Sequence, residues 1–381
     1  MAGSDAAAPP DASAFDTVFE VYEVRTDGDT VLYVGEPVVE GDVLVRELWP
    51  LFREHGYEVA LQRGYGDADG FRLSTGEYVL VAEPWSNGID GIPWLNVVLF
   101  VLTVLSTLLA GSVWWYQIPL GEEPWRIVEA WPFVLAVMGV LAVHELGHYV
   151  MSRYHDVNAS LPYFIPVPTI IGSMGAVIRM RGQIPDRRAL FDIGAAGPLA
   201  GLVATVVVTA VGLQLDPLAV QQTPPETAET VVRFSNPPLL ELIAEMTGTT
   251  GRIENGQMHP VVFGGWVGML VTLLNMLPVG QLDGGHILRA MVGEQQERLA
   301  AAVPGVLFAL ALYLAFVRDG FDSVFIWGMW GVFAVVLAYA GPANPVQETT
   351  LDRKRIVLGA LTFALAALCF TPVPIELIEM A

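Results

Sequence analysis

The stretch 131–151 (WPFVLAVMGVLAVHELGHYVM) is apolar over a length that crosses a bilayer, yet its second half carries His144, Glu145 and His148. In lipid every backbone polar group must be paired within the chain, so a spanning stretch of this kind folds as a helix. Residues four apart on a helix share one face, so His144 and His148 can hold one metal ion between them, with Glu145 pointing beside it. Two imidazoles and an adjacent carboxylate at this spacing are the zinc-protease arrangement, in which the carboxylate is the general base. The plainer alternative is a solvated helix face that matches by chance. Only six histidines occur in 381 residues, and an unused His-Glu-His set inside an apolar span would be costly, which favours the functional reading.

The chain is 53% hydrophobic with mean hydropathy +0.50, values that belong to a polytopic membrane protein. A formal net charge of −21 argues against nucleic acid as a partner. The acidic, lysine-poor surface fits a high-salt cytoplasm and predicts a halophile. The lone cysteine, Cys369, excludes an internal disulfide and any cysteine-based zinc site, and reads as a small apolar filler in a late helix.

Five regions follow in order. Residues 1–14 have no signal-peptide pattern and read as a disordered tail. Residues 15–83 read as a small soluble α+β domain, with strands at 17–24, 30–35, 58–62 and 77–82, a helix at 43–55, and turns at 27–29 and 67–70. Its carboxylates form no catalytic constellation. A turn-rich linker spans 84–93. A transmembrane domain occupies 94–372 and a short tail 373–381.

Spans are expected at about 94–116, 126–154, 191–213, 261–277, 299–317, 324–339 and 356–370, seven in all or six. Trp114, Trp115 and Tyr116 read as interfacial aromatics at the end of the first. Prolines and glycines at 161–184 prevent a regular helix and predict a re-entrant or β-like loop whose open strand edge could pair with an extended peptide; an ordinary interfacial loop is the alternative. Gly194–Gly201 supplies small residues for close helix packing, and Asp192 reads as structural, suited to a positive helix start. The polar stretch 215–260 contains a short interfacial helix at 237–246. Basic residues cluster at 153–188, 289–298 and 352–355, so those loops are expected to be cytoplasmic. The protein is then a multi-pass protein of the cell membrane, with a cytoplasmic N-terminal domain and an external C-terminus. His148 and Asp283 both lie toward the cytoplasmic side.

Catalytic zinc usually has three protein ligands. Asp283, at the inner end of the fourth span, is the favoured third, because an acid in apolar surroundings most needs a partner; His286 is the rival. His155 and His259 read as ordinary polar loop residues. Asn275 is either a hydrogen-bond partner for an extended substrate or a helix cap.

These residues carry a family resemblance. His144-Glu145-x-x-His148 in one span and Asn275-x-x-Pro278-x-x-x-x-Asp283-Gly284 in a later one, with Gly197-Pro-Leu-Ala-Gly201 between them, resemble the site-2 protease family of intramembrane zinc metalloproteases. The N-terminal domain and the Gly280-Gln281 spelling look most like the branch that includes plant plastid members. The resemblance implies cleavage of a substrate's transmembrane helix within the bilayer, as in regulated intramembrane proteolysis. It implies zinc on His144, His148 and Asp283, and Glu145 as the base acting on metal-activated water. It also implies that Ser173, Met174, Gly175 and Ala176 help to hold the unwound substrate. The chain departs from other branches in having no PDZ pattern and no tandem CBS-like extension. Two other classes compete: a metal or cation transporter, and a non-proteolytic membrane chaperone. A transporter would distribute charges over several helices, whereas here they converge on two helix ends. A chaperone relative need not keep Glu145 and all three ligands.

Overall fold

The computed structural model describes residues 8–63, 78–85, 91–180, 182–218, 230–317 and 321–379. The expected turn at 67–70, Arg181 of the basic cluster, and parts of the N-terminal tail, the linker, the polar stretch after 215 and the C-terminal tail lie outside them.

Alternation of apolar and polar side chains marks β1 (Phe19–Asp27), whereas β2 (Thr30–Pro37) is a continuous apolar run buried on both faces; a two-residue turn in which Gly28 takes φ +59° joins them. Helix α1 (Gly41–Glu54) follows, then β3 (Tyr57–Arg63) and β4 (Tyr78–Pro84). The sheet is antiparallel in the order β1-β2-β4-β3. Leu44, Leu48 and Phe52, each one turn beyond the last, press on Phe15, Phe19, Tyr33 and Leu80 to form its core.

This domain rests on the loop that leaves the metal-motif helix. The Arg53 guanidinium donates to the Asp156 carbonyl at 2.5 Å while stacking on Trp85, and Gln183 donates to the Val59 carbonyl at 2.8 Å. Glu58 lies in the same contact. Burial raises its carboxyl above the ordinary range, and Arg53 at 3.0 Å partly opposes that rise.

The apolar region opens with α2 (Trp94–Ala110), which ends in one π-type turn, Gly111–Trp115. Trp114 points outward as expected of an interfacial aromatic, but Trp115 turns inward. It packs on Phe263 with ring centroids 4.1 Å apart and donates to the Ile170 carbonyl. Its indole finds both an aromatic cluster and a hydrogen-bond acceptor there, so the interfacial reading of Trp115 is corrected. A 3-10 turn (Pro124–Ala130) leads into α3 (Trp131–Tyr154). The loop after it forms a hairpin of β5 (Tyr163–Pro166) and β6 (Ser173–Val177).

Helix α4 (Arg187–Gln214) is capped by Asp186, whose carboxylate accepts from the Arg188 and Ala189 amides. Strand β7 (Thr230–Phe234) and helices α5 (Pro238–Thr247) and α6 (Thr250–Glu254) precede α7 (Pro260–Asn275). His259 caps α7 by accepting from the Val261 amide, which is more specific than the loop role expected of it. The remainder comprises α8 (Asp283–Val292), α9 (Gln295–Ala300), α10 (Val303–Val317), α11 (Phe321–Ala340), α12 (Arg353–Ala367) and β8 (Ile375–Glu379), which pairs with β7.

The molecule is mostly helical, with a β-rich N-terminal region. Among the described residues four helices are long and apolar enough to cross a membrane, at 94–115, 124–154, 187–214 and 295–317, with shorter apolar helices at 260–275 and 324–340. Helices α3, α4 and α7 pack together at the centre. A Cβ on Gly264 would stand 2.5 Å from that of Ala136, and one on Gly268 would stand 2.6 Å from Val140. These glycines bring α7 and α3 close enough to place the end of α7 beside the histidines of α3.

Candidate metal centre

His144 and His148 lie on consecutive turns of α3 and face α4 and the start of α8. Two glycines on α4 make room for them. A Cβ on Gly197 would collide with the His148 ring, and one on Gly201 would stand 2.8 Å from His144 Nδ1. The third group arrives from α8. After α7 ends at Asn275, Pro278 and Gly280, the latter at φ +54°, turn the chain so that Asp283 begins the next helix. The turn is tight: a Cβ on Gly284 would strike the Met276 carbonyl.

Three donors converge. Asp283 Oδ2 lies 3.1 Å from His144 Nε2, Asp283 Oδ1 lies 3.2 Å from His148 Nε2, and the two Nε2 atoms are 3.3 Å apart. Zinc–nitrogen and zinc–oxygen bonds of about 2.0–2.1 Å in a tetrahedron require ligand atoms about 3.3 Å from one another. The donors therefore suit a zinc ion in chemistry, and one atom from each lies within 4.8 Å of the other two, close enough to share an ion. Among the described residues they are the group of three or more His, Cys, Asp or Glu side chains close enough to share an ion. His148 Nδ1 is 2.8 Å from the Ile193 carbonyl and donates to it, which turns the Nε2 lone pair toward the other donors.

A cavity of about 160 Å³ opens on this cluster. Glu145, 7% exposed, lines it beside the donors, as do Asn275, Ser152, Gln281 and His286. The Asn275 amide nitrogen stands 3.3 Å from His144 Nε2, so the last residue of α7 belongs to the site's wall. His286 is buried in the same wall but outside the three-donor cluster, and its Nδ1 has no partner among the described residues.

The hairpin residues divide. Ala176 lines the cavity together with Val177. The Ser173 hydroxyl is turned into the hairpin, where it accepts from the Gly175 amide at 3.1 Å, and Met174 points outward. Strand β6 pairs with β5 in a two-stranded sheet, leaving its other edge without a strand among the described residues.

Asp192 makes structural contacts, as expected, but not at the helix start. Asp186 is the cap of α4, and Asp192 lies more than a turn inside the helix. There it accepts two bonds from Arg355, at 2.7 and 2.6 Å, and faces His155 Nε2 at 2.9 Å. Sequence reasoning passed over Ser152, although it stands one turn beyond His148 on the same face. It also passed over the specific use of Gly197 and Gly201, whose four-residue spacing repeats that of the two histidines.

A His-Glu-x-x-His helix completed by an aspartate from another helix, set among helices apolar enough to span a bilayer, defines the class of membrane-embedded zinc metalloproteases. Residues 132–316 match the profile of peptidase family M50. The chain is 32% identical over 312 residues to the probable chloroplastic zinc metalloprotease EGY1 of Arabidopsis thaliana, covering 75% of this chain and 54% of that protein. The rice (Oryza sativa subsp. japonica) protein of the same description is 34% identical over 44% of this chain and 29% of its own length. The probable chloroplastic zinc metalloprotease EGY2 of Arabidopsis thaliana is 30% identical over 64% of this chain and 42% of its own. The chain thus spans about half the length of these relatives or less. No solved structure matches it. The matched residues, 132–316, hold every member of the three-donor cluster.

Proposed function

We propose that the protein is an intramembrane zinc metalloprotease that hydrolyses a peptide bond within or near a transmembrane helix of a membrane-protein substrate. The observation that carries this reading is the convergence of His144, His148 and Asp283 beside buried Glu145, at a cavity walled by apolar helices. His144, His148 and Asp283 would hold a zinc ion, which would supply Lewis-acid activation of the attacking water and of the substrate carbonyl. Glu145 takes the proton of that water and delivers it to the leaving amine. The Asn275 amide holds the substrate backbone near His144. The open edge of β6 receives the unwound substrate as an added strand, with Ala176 and Val177 against the cavity and Ser173 stiffening the hairpin.

In the bilayer, helices α2, α3, α4, α7, α10, α11 and α12 make seven spans of a membrane domain at 94–372, and residues 15–83 form a cytoplasmic domain. Two observations support this orientation. The basic clusters fall on alternate loops, and the N-terminal domain touches the loop at the metal end of α3.

Replacing Glu145 by Gln tests the chemistry. Detergent-purified Glu145→Gln should keep about one zinc per chain and lose cleavage of a transmembrane-helix substrate by a factor of about 10²–10⁴, the range for a general base. Cleavage at the parent rate would remove Glu145 from the mechanism. Zinc-dependent transport that survives the change would favour a transporter instead.

A further inference from the structure

The connection between α11 and α12 and the first turn of α12 lie outside the matched segment, yet their side chains are tied to α8 and α4, the helices that flank the metal centre. Arg289, on α8 six residues beyond Asp283 and 5% exposed, donates to the Asn344 side chain at 2.9 Å and to Glu348 at 2.5 Å. Arg355, at the start of α12, grips Asp192 with two parallel bonds. The residue after Asp192 is Ile193, whose carbonyl orients His148. Between these anchors the Val346 and Gln347 amides donate to the Ile184 and Pro185 carbonyls, at 2.9 and 3.0 Å, on the segment that runs from β6 to α4. Arg46 of the N-terminal domain donates to the Val346 carbonyl at 3.2 Å.

We infer that residues 344–355 act as a strap that positions the metal centre, fixing Asp283 through Arg289–Glu348 and His148 through Arg355–Asp192. The inference rests on the metal-centre reading above. A metal site needs its donors held in place by neighbours whose own positions are locked, and removing such neighbours typically weakens metal binding 10- to 100-fold. Both grips suit the task. The Arg355 pair is bidentate, which fixes direction as well as distance, and Arg289 is withdrawn from solvent. Arg46 joins the N-terminal domain to the same strap.

The test compares the parent full-length chain in detergent with Glu348→Gln, Asp192→Asn, Arg355→Lys and a distant exposed control, Glu23→Gln. Zinc affinity is measured by competition with a chelator, beside kcat, KM and the thermal unfolding of the zinc-free protein. The strap predicts zinc binding weakened by up to about 10-fold in Glu348→Gln and Asp192→Asn, the low end of the range for direct partners of a ligand, with kcat lowered at unchanged KM. Arg355→Lys, which keeps the charge but not the fork, should fall between them and the parent. Glu23→Gln should match the parent. The zinc-free unfolding temperature should fall as well, because each change takes a partner from a buried or half-buried arginine, so zinc affinity is the readout that separates the strap from a structural tie. Parent-like zinc affinity in both acid variants, with a lowered unfolding temperature, would overturn the inference and leave these pairs as structural ties. If Asp192→Asn does not fold, Glu348→Gln, whose side chain is one-third exposed, decides alone. A parent that binds no zinc overturns the metal-centre reading and the strap with it, whereas a zinc-binding parent with unaffected variants overturns the strap only.

Discussion

Gly197 and Gly201 on α4 receive His148 and His144 on α3, with a spacing of four residues on each side of the contact. The fit leaves no room for a methyl group at Gly197, where a Cβ would meet the imidazole itself. Gly197→Ala should therefore weaken zinc binding more than Gly201→Ala, whose Cβ would stand 2.8 Å from His144 Nδ1; chelator competition on the two variants checks the order, and equal affinities would contradict it. His286 offers the reverse case. It lines the cavity but stands apart from the three donors, so His286→Gln should retain about one zinc per chain by metal analysis. At this scale the sequence was most legible where chemistry and helix period coincide. The His-Glu-x-x-His spacing puts two donors on one face, and an acid at a helix end in apolar surroundings asks for a partner. The pairing of Asp192 with Arg355 was not legible, because nothing local links residues 163 positions apart. The small-residue run on α4 could be read as a close-packing face, but not as the seat of the histidines, since periodicity gives a helix its face and not its neighbour.

Among the elements, α7 sets the geometry. It has 16 residues, about 24 Å of helix against a hydrocarbon core of about 30 Å, and nearly all of it is buried. A short central helix can end inside the protein, and the turn after it can carry Asp283 to the depth of His144 and His148. The glycines that allow this are vulnerable. Gly264→Val should destabilise the protein by about 1–3 kcal/mol through overpacking against Ala136, measured as a lowered unfolding midpoint, whereas Val206→Ala on the outward face of α4 should change it little. Prolines at 260 and 278 made both limits of this helix readable in the sequence. The β-prone stretch after α3 likewise reads as the hairpin that forms. Trp115 misled, because an aromatic at the end of an apolar run fits an interface and an interior cluster equally well until the partners Phe133, Phe234 and Phe263 are known.

Considered whole, the protein places its β-rich N-terminal region, the loop after α3 and the segment between α11 and α12 at the metal end of the helices, while β7 and β8 pair with each other. The proposed orientation puts the soluble domain in the cytoplasm. A cysteine introduced at exposed Asp29 should be labelled by an impermeant reagent only when the cytoplasmic face is open, against a low background because Cys369, the single native cysteine, is 2% exposed. Labelling from outside intact cells would reverse the orientation. The metal should also tie α3 to α8, so removing it should lower the unfolding midpoint. By linkage, zinc at a thousand times its dissociation constant contributes about 4 kcal/mol, and restored zinc should recover it.

The most direct test is metal content and cleavage measured together on the detergent-purified parent and on Asp283→Ala, with a generic transmembrane-helix substrate at high salt. About one zinc per chain and cleavage are expected in the parent, and loss of both in the variant. Zinc and cleavage retained by Asp283→Ala would contradict the three-donor centre at its root.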